Sequence, residues 1–347
     1  MFRPTTIRVG DPDEPSLRAR HAAVEVRRNG ATVQLACTAD ARAFIQSKLG
    51  GDDPAGDEAR FWSVGSSFEA DLLCASLSRQ RMPSLHAQGA QRAGVCWLSL
   101  DLAEPGLGWR VAEQPMTSGG WRSVGPFLDR GSASRWSAVL DARFELCRYP
   151  AELRKAPNGT PCSYKQMGLC PAACDGSEPM HNYLSRAREA LAFDAAALEK
   201  LRLDLSEAVE AASGAHDFEQ AARWRDELRS LPKAVKLGPV GPAARFGFLA
   251  VCRGERAGWV RLMALGLGGW SWVGDVRASA CDEPAAELLI EAGVRSDAGG
   301  DDAWVTGLIA REAVRPRRGG PQMLAVDSLD GSALLSAVRR VAKIHDA

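Results

Sequence analysis

The chain has 347 residues, 46% of them hydrophobic, with 43 basic and 43 acidic side chains that cancel to no net charge. That length suits two or three domains better than one, and a neutral balance excludes a chain drawn as a whole to phosphate backbones. No apolar run approaches the roughly 18 residues of a membrane span, so no membrane role and a cytoplasmic location are expected; nine cysteines in a reducing compartment then point to metal or redox chemistry rather than a disulfide framework.

In chain order, the opening "MFRPTTIRVGDPDEPSLRARHAAVEV" has no apolar core of the kind a signal sequence needs. Cys37, Cys74 and Cys96, like Cys252 and Cys281 further on, stand apart in apolar stretches and are expected in the core. From about residue 109 bases and aromatics interleave: Arg110, Arg122, Arg130, Arg135, Arg143, Arg148, Arg154, Lys155 and Lys165 outnumber Glu113, Asp129, Asp141, Glu145 and Glu152. Trp109, Trp121, Trp136 and Tyr149 lie among them. Phosphate contacts from Arg122, Arg130, Arg135, Arg148, Arg154, Lys155 and Lys165, with rings stacking on exposed bases, make this the expected place for local DNA contact, against the plainer reading of surface arginines and core tryptophans.

Within that stretch "PCSYKQMGLCPAAC" sets Cys162, Cys170 and Cys174 close together, and Cys147 in "RFELCRYP" is the nearest fourth thiol. The gaps of fourteen, seven and three residues contain no CxxC knuckle. Pro161, Pro171 and Gly168 make the segment a loop rather than a core element, so four thiolates holding metal are expected, with zinc and an iron–sulfur centre both compatible with the spacing.

The stretch from His181 to Leu231 contains no proline and a single glycine, Gly214, and reads as two long helices paired antiparallel. Leu191, Ala195, Leu198, Leu201, Leu205 and Val209 form one apolar stripe, and Phe218, Ala221, Ala222, Leu228 and Leu231 the other. Glu219, Arg223, Arg225, Asp226 and Glu227 give the second helix a charged outer face, either solvated or a docking face. Residues 244–276 run like three or four short strands with "RGERAG" as a hairpin turn, followed by helices near "PAAELLIEAGV" and "GSALLSAVRRVAKIH". The acidic residues of "GGDDAW" and "VDSLDG" sit in turn contexts, where Asp caps or closes loops.

Together, "PCSYKQMGLCPAAC" and the hairpin ending "DFEQAARWRDELRSL" resemble the middle of the UvrC family, nuclease subunits of bacterial nucleotide excision repair. The second half of the hairpin looks like the UVR motif through which UvrB and UvrC associate. "SVGPFLDRGSASRWSAVLDARFELC" is similar to the family's run from a Gly-Pro-aromatic turn into the first cluster cysteine, and "FEADLLCASLSRQRMPSLHAQ" can be laid on the end of its GIY-YIG nuclease domain. The resemblance, covering roughly residues 20 to 235, implies a [4Fe-4S] cluster on Cys147, Cys162, Cys170 and Cys174, with zinc as the alternative. It also implies contact with UvrB or a UvrB-like helical partner through Phe218, Glu219, Ala222, Arg225 and Asp226.

The departures are as informative. A GIY-YIG nuclease needs a proton-moving tyrosine, a phosphate-stabilising arginine and a metal-holding glutamate. On the best alignment the tyrosines fall at Val24 and Leu35, the motif glycine at Cys37, the lysine at Thr38, the arginine near Phe44 with Arg42 close by, the glutamate at Cys74 and an asparagine at His86. A new thiol and base pair of Cys74 and His86 has no orienting carboxylate at a recognisable spacing. About 110 residues follow the hairpin, with no carboxylate set of the RNase H-like kind, and Walker, Rossmann and HExxH motifs are absent, so no nucleotide is expected.

The expected fold class is α+β and multidomain: a degenerate GIY-YIG-like α/β domain at 1–105, a cysteine-cluster module at 106–180, a UVR-like hairpin at 181–235 and a C-terminal α+β unit at 236–347. The function expected is a UvrC-like excision repair protein without nuclease activity and with no catalytic residues assigned, binding DNA, UvrB or both. The alternatives are an active excinuclease subunit and a regulatory iron–sulfur protein with another partner.

Overall fold

The computed structural model describes residues 4–8, 21–49, 55–231, 241–242, 246–254, 256–295 and 300–343. The start of the "RARHAAVEV" stretch, the end of the expected hairpin region beyond 231 and the tail of the last helix beyond 343 lie outside the described residues. The chain is α+β with antiparallel sheets, and its four expected segments group into two compact units, 1–94 with 247–347, and 95–246.

The N-terminal piece of the first unit contains β1 (Thr5–Arg8), β2 (His21–Arg28), β3 (Ala31–Thr38), α1 (Ala41–Leu49), β4 (Glu58–Val64), α2 (Ser67–Arg81) and α3 (Pro83–Ala93). The strands pair in the order β1-β4-β2-β3. β2 and β3 form a hairpin because Asn29 and Gly30 both adopt positive φ, as an Asn-Gly turn requires. Ala22, Val24 and Val26 point to one face of the sheet and pack with Phe61 against Ile45 of α1. Ala23, Trp62 and Val64 point to the other and pack against Ala70, Leu73 and Cys74 of α2.

The second unit contains β5 (Cys96–Asp101), β6 (Arg110–Ala112), β7 (Trp121–Phe127), α4 (Arg130–Arg143), the short turns α5 (Pro150–Leu153) and α6 (Ser163–Gln166), α7 (Met180–Ala192), α8 (Ala195–Gly214), α9 (Phe218–Ser230) and β8 (Gly241–Pro242). The sheet runs β6-β5-β7-β8. Leu98, Leu100, Val124 and Phe127 of the sheet meet Trp136 and Leu140 of α4, Tyr183, Ala187 and Leu191 of α7, and Leu198 of α8 in one core. Two long helices were expected from 181 to 231, whereas three are found. The chain breaks at Phe193–Asp194, where the Asp194 carboxylate takes over the Ala197 amide as an N-cap and starts α8. α8 and α9 then pack on each other as the paired hairpin.

The chain returns to the first unit with β9 (Gly247–Arg253), β10 (Trp259–Gly266), β11 (Gly269–Arg277), α10 (Glu283–Arg295), α11 (Ala303–Val314), β12 (Gln322–Ala325) and α12 (Gly331–Lys343). The sheet order is β11-β10-β9-β12, with Leu249, Val251, Val260 and Leu262 packed on Leu334, Ala337, Val338 and Val341 of α12. Helix α11 and strand β12 were not expected from the pattern. The two pieces of this unit are joined by close packing and by charge. Gly307 of α11 lies so close to the Ala93 carbonyl that a Cβ there would stand 2.1 Å from it, and a Cβ on Gly89 would meet the Trp304 ring at 2.3 Å. Glu69 of α2, fully buried, pairs with Arg261 of β10 at 3.3 Å, and Arg317 reaches Asp71 at 2.5 Å.

Candidate functional site

The cysteine loop rises from the core of the second unit. Cys174 is buried within that core beside Ala172 and Ala173, while Cys147 packs against it from the end of α4. Between Cys170 and Cys174 the chain turns through Ala172 at φ +65°, a left-handed conformation that costs a non-glycine residue about 1 kcal/mol. Further along, Gly159 donates its amide to the Cys174 carbonyl at 2.8 Å and leaves no space for a side chain there. The base of the loop is clamped by Arg186 of α7, whose guanidinium forks onto the Glu178 carboxylate and donates to the carbonyls of Phe144 (2.9 Å) and Glu145 (3.3 Å). Arg186 was not singled out from the sequence; a lone arginine on an amphipathic helix gives no signal of a clamp.

The structure gathers all four expected ligands into this one loop. Burial pushes the Cys147 thiol up to about 11, a shift that a hydrogen bond from the Tyr149 backbone amide opposes and the Cys170, Cys174 and Cys162 thiols reinforce, so the four sulfurs sense one another's charge. Burial likewise raises Cys170 and Cys174, while Arg186 favours the Cys170 thiolate. Among the described residues no three His, Cys, Asp or Glu side chains converge into a ready single-ion site. The electrostatic influence of Cys162, Cys170 and Cys174 on Cys147 makes the four thiols neighbours on this loop. A donor set of four thiols on a Pro- and Gly-braced loop has the chemistry of thiolate-bound metal, zinc or iron–sulfur alike.

The expected DNA-contacting bases lie on the same unit with different degrees of freedom. Arg122 donates to the carbonyls of its own turn, Gly119 and Trp121, and Arg135 to the Ser132 hydroxyl on α4. Arg130 is exposed and reaches the Val111 carbonyl at 3.5 Å. Lys155 pairs with Glu152 at 2.6 Å and Lys165 with Asp175 at 2.5 Å, which leaves Arg148 and Arg154 as the less neutralised cations of the loop. Of the rings weighed for stacking on bases, Trp136 follows the plainer reading of a core tryptophan: it is fully buried between Phe127 and Phe193, because α4 turns that face onto the sheet. Trp109 donates its indole N–H to Asp141, whose carboxyl burial raises to about 6. Trp121 is half-buried under Arg110. Tyr149 is exposed.

The hairpin also differs from its expected stripe. Ala221 is buried against α8, but Phe218 is 66% exposed at the head of α9 and Ala222 faces outward. Phe218 is the first residue of α9 and meets the His216 ring edge-on, so the apolar stripe begins at Ala221. Glu219 pairs with Arg223, and Asp226 with Arg229, along the outer face, where Arg225 is also exposed.

In the first unit Val24 and Leu35, standing at the aligned tyrosine positions, are buried in the sheet and carry no group that moves a proton. Cys74 is buried, as are Cys96, Cys252 and Cys281, but Cys37 on the edge strand β3 is exposed, a correction to its core placement. Its thiol donates to the Ala70 carbonyl at 3.4 Å, and hydrogen bonding with Cys74 holds it in the thiol form. Cys74 and His86 do not pair. His86 instead meets Ser78 Oγ at 3.1 Å through Nδ1 and Asp302 at 3.5 Å through Nε2. The orienting carboxylate that the sequence did not reveal thus comes from the far end of the chain. Ser78 is fully buried with its hydroxyl donated to Ala75, and Asp302 is engaged as the N-cap of α11, so this serine–histidine–aspartate line is a structural brace.

Residues 95–193 match the family model of the UvrC/Cho excinuclease middle domain. The "UvrABC system protein C" of Moorella thermoacetica is 25% identical over 235 residues, 65% of this chain and 37% of that protein. Those of Geotalea daltonii and Trichlorobacter lovleyi are each 31% identical, over 121 residues (35% of this chain, 19% of theirs) and 176 residues (48% and 28%). The chain is related to the UvrC family, and its matches span between about a fifth and two fifths of these relatives' lengths. No solved structure matches.

Proposed function

We propose, from the premise that residues 95–193 form a domain of the UvrC/Cho middle-domain family, that this protein serves nucleotide excision repair as a binding subunit without nuclease chemistry of its own. The observation that carries the reading is the coincidence of that matched segment with the compact core from which the four-cysteine loop rises. Cys147, Cys162, Cys170 and Cys174 would hold a [4Fe-4S] cluster, which when bound would cross-link the loop to α4 and the core. The raised thiol pKa values of Cys147, Cys170 and Cys174 mean that protons are displaced on loading, and Arg186 eases this by favouring the Cys170 thiolate.

DNA is bound by the cations of this unit, chiefly Arg148, Arg154 and Arg130, through phosphate contacts. A UvrB-like helical partner is bound by the outer face of α9, where exposed Phe218 supplies an apolar anchor and Glu219, Ala222, Arg225 and Asp226 the surrounding contacts. The first unit lends a scaffold: at the positions where the nuclease resemblance needs tyrosines and a glutamate stand Val24, Leu35 and Cys74, all buried.

The test is fluorescence anisotropy of the full chain on lesion-bearing and intact duplexes, with capture of UvrB and a magnesium- or manganese-dependent nicking assay on the same substrates. Binding of damaged duplex and of UvrB without nicking is expected. Nicking that persists through purification would overturn the binding-subunit reading, and indifference to both DNA and UvrB would remove the protein from repair.

A further inference from the structure

The cysteine loop exposes apolar side chains that its own rigidity keeps out of the core. Tyr149 is 47% exposed, Met167 59% and Leu169 51%, and all three fall between Cys147 and Cys170. The segment that carries them is tightly braced. Lys165 bridges Asp175 and Ser177, and Glu152 takes both the Lys155 ammonium and the Thr160 amide (2.8 Å). The Leu169 amide donates back to the Tyr164 carbonyl at 2.8 Å across the turn at Gly168, whose φ is +71°. Side chains held outward by such a frame cannot collapse onto the core, and their contact with water is a standing cost that a ligand would relieve.

The chemistry around them narrows the ligand. Tyr149 and Tyr164 lie with ring centroids 6.1 Å apart, and the Arg148 guanidinium covers Tyr164 at 4.1 Å. Arg148 also lies close enough to Asp141 to favour its carboxylate, while Arg154, exposed on the same loop, donates a long 3.4 Å bond to the Gly106 carbonyl and makes no ion pair with a carboxylate among the described residues. Aromatic and aliphatic side chains beside arginines match the two faces of a nucleotide, a base to stack on and a phosphate to pair with. A second copy of the chain fits less well: three or four side chains fall far short of the roughly 800 Å² that each partner buries in a stable interface, and the arginines would face their own images across a two-fold axis.

We infer that Tyr149, Met167 and Leu169 form a wedge that enters DNA where bases are unpaired or easily unstacked, while Arg148 and Arg154 hold the flanking phosphates. The wedge rests on the DNA-binding reading above and adds to it the side chains that meet unstacked bases. Apolar wedges of this composition pay for unstacking a base step with the surface they bury.

The test uses the full chain, with the wild type compared with a Tyr149→Ser/Met167→Ser/Leu169→Ser variant, a Tyr149→Phe variant and Arg154→Ala. Binding is read by anisotropy on a matched duplex and on the same duplex with a short unpaired bubble carrying 2-aminopurine. The wild type is expected to prefer the bubble and to change 2-aminopurine emission. The triple variant should bind the bubble roughly 5- to 100-fold more weakly, the range of losing one stacked base, and the matched duplex as before. Tyr149→Phe should keep the preference, and Arg154→Ala should weaken both substrates alike. Unchanged thermal melting would show that the variants fold. A wild type that binds both duplexes equally, or a triple variant that keeps the preference, overturns the wedge alone. A wild type that binds neither overturns the DNA reading with it. A triple variant that changes the oligomeric state by size exclusion would assign the patch to self-association instead.

Discussion

Replacing Glu69 with Gln isolates the buried charge that joins the two pieces of the first unit. Glu69 is fully buried on α2, and burial raises its pKa from the usual 4.5 to about 7, overriding the attraction of Arg261 at 3.3 Å and the hydrogen bond from Ser66. Arg261 is shared with Asp275, at 2.9 Å, so its charge is not spent on Glu69 alone. The folded state therefore holds the proton more tightly than the unfolded chain. Below about pH 4.5 both states are protonated and the site costs nothing extra. Between about 4.5 and 7 only the unfolded chain releases the proton, so stability falls as pH rises and levels off above about 7. At about 1.4 kcal/mol for each tenfold difference in proton affinity, the loss is about 3 kcal/mol. Glu69→Gln cannot ionise and should lack this slope. Urea unfolding across pH 4.5 to 8, followed by hydrogen exchange of peptides covering β4 and β10, should show the variant gaining on the wild type by about 3 kcal/mol over that range. Parallel curves for the two proteins would refute the argument and mean that the Arg261 pair holds Glu69 ionised throughout.

Other outcomes follow from single side chains. Gly307→Ala should destabilise the first unit by several kcal/mol in thermal melts, on the order of an overpacked core, because the added methyl meets the Ala93 carbonyl; Gly→Ala at Gly214, where nothing stands within 4 Å, should not. Leu198→Ala, at a fully buried site where α8 meets the second core, should cost about 2–5 kcal/mol in chemical denaturation. Asp129→Ala removes the side chain that accepts the Ser132 amide at the start of α4 and should cost about 1 kcal/mol; since that bond holds the Asp129 carboxyl below its usual range, the wild-type advantage should be present above about pH 4 and fade as pH falls through the lowered value. Phe218→Ala should leave melting unchanged and weaken UvrB capture, because the ring is 66% exposed and packs on no core.

The cysteine loop was legible because its signals are local: four thiols within 28 positions, with prolines and a glycine between them, describe a loop whatever surrounds it. The helices were legible from periodicity, but Asp194 was not seen as a break. An N-cap needs only one short acidic side chain, and the apolar stripe continues across it from Leu191 to Leu198. Phe218, counted in the apolar stripe of its helix, lies in solvent, while Trp136, weighed as either a stacking or a core ring, lies in the core. Spacing along a helix fixes which residues share a face, but the neighbouring sheet decides which face is covered. The association of residues 1–94 with 247–347 left no mark in the sequence, since it rests on contacts such as Glu69 with Arg261, His86 with Asp302 and Gly307 with Ala93, each separated by about two hundred positions. The same distance hid the carboxylate facing His86. Met167 and Leu169 could have been noticed as apolar residues in a loop with no periodic partner, and Arg186 could not.

The central claim is that the four cysteines of the second unit hold an iron–sulfur cluster. Its most direct test is the visible spectrum, with iron, sulfide and zinc analysis, of the full chain purified without oxygen beside Cys170→Ala. The account predicts a brown protein with a broad band at about 400 nm, about four irons per chain, and loss of both in the variant. Stoichiometric zinc without colour, or a wild type and variant alike in binding no metal, would contradict it.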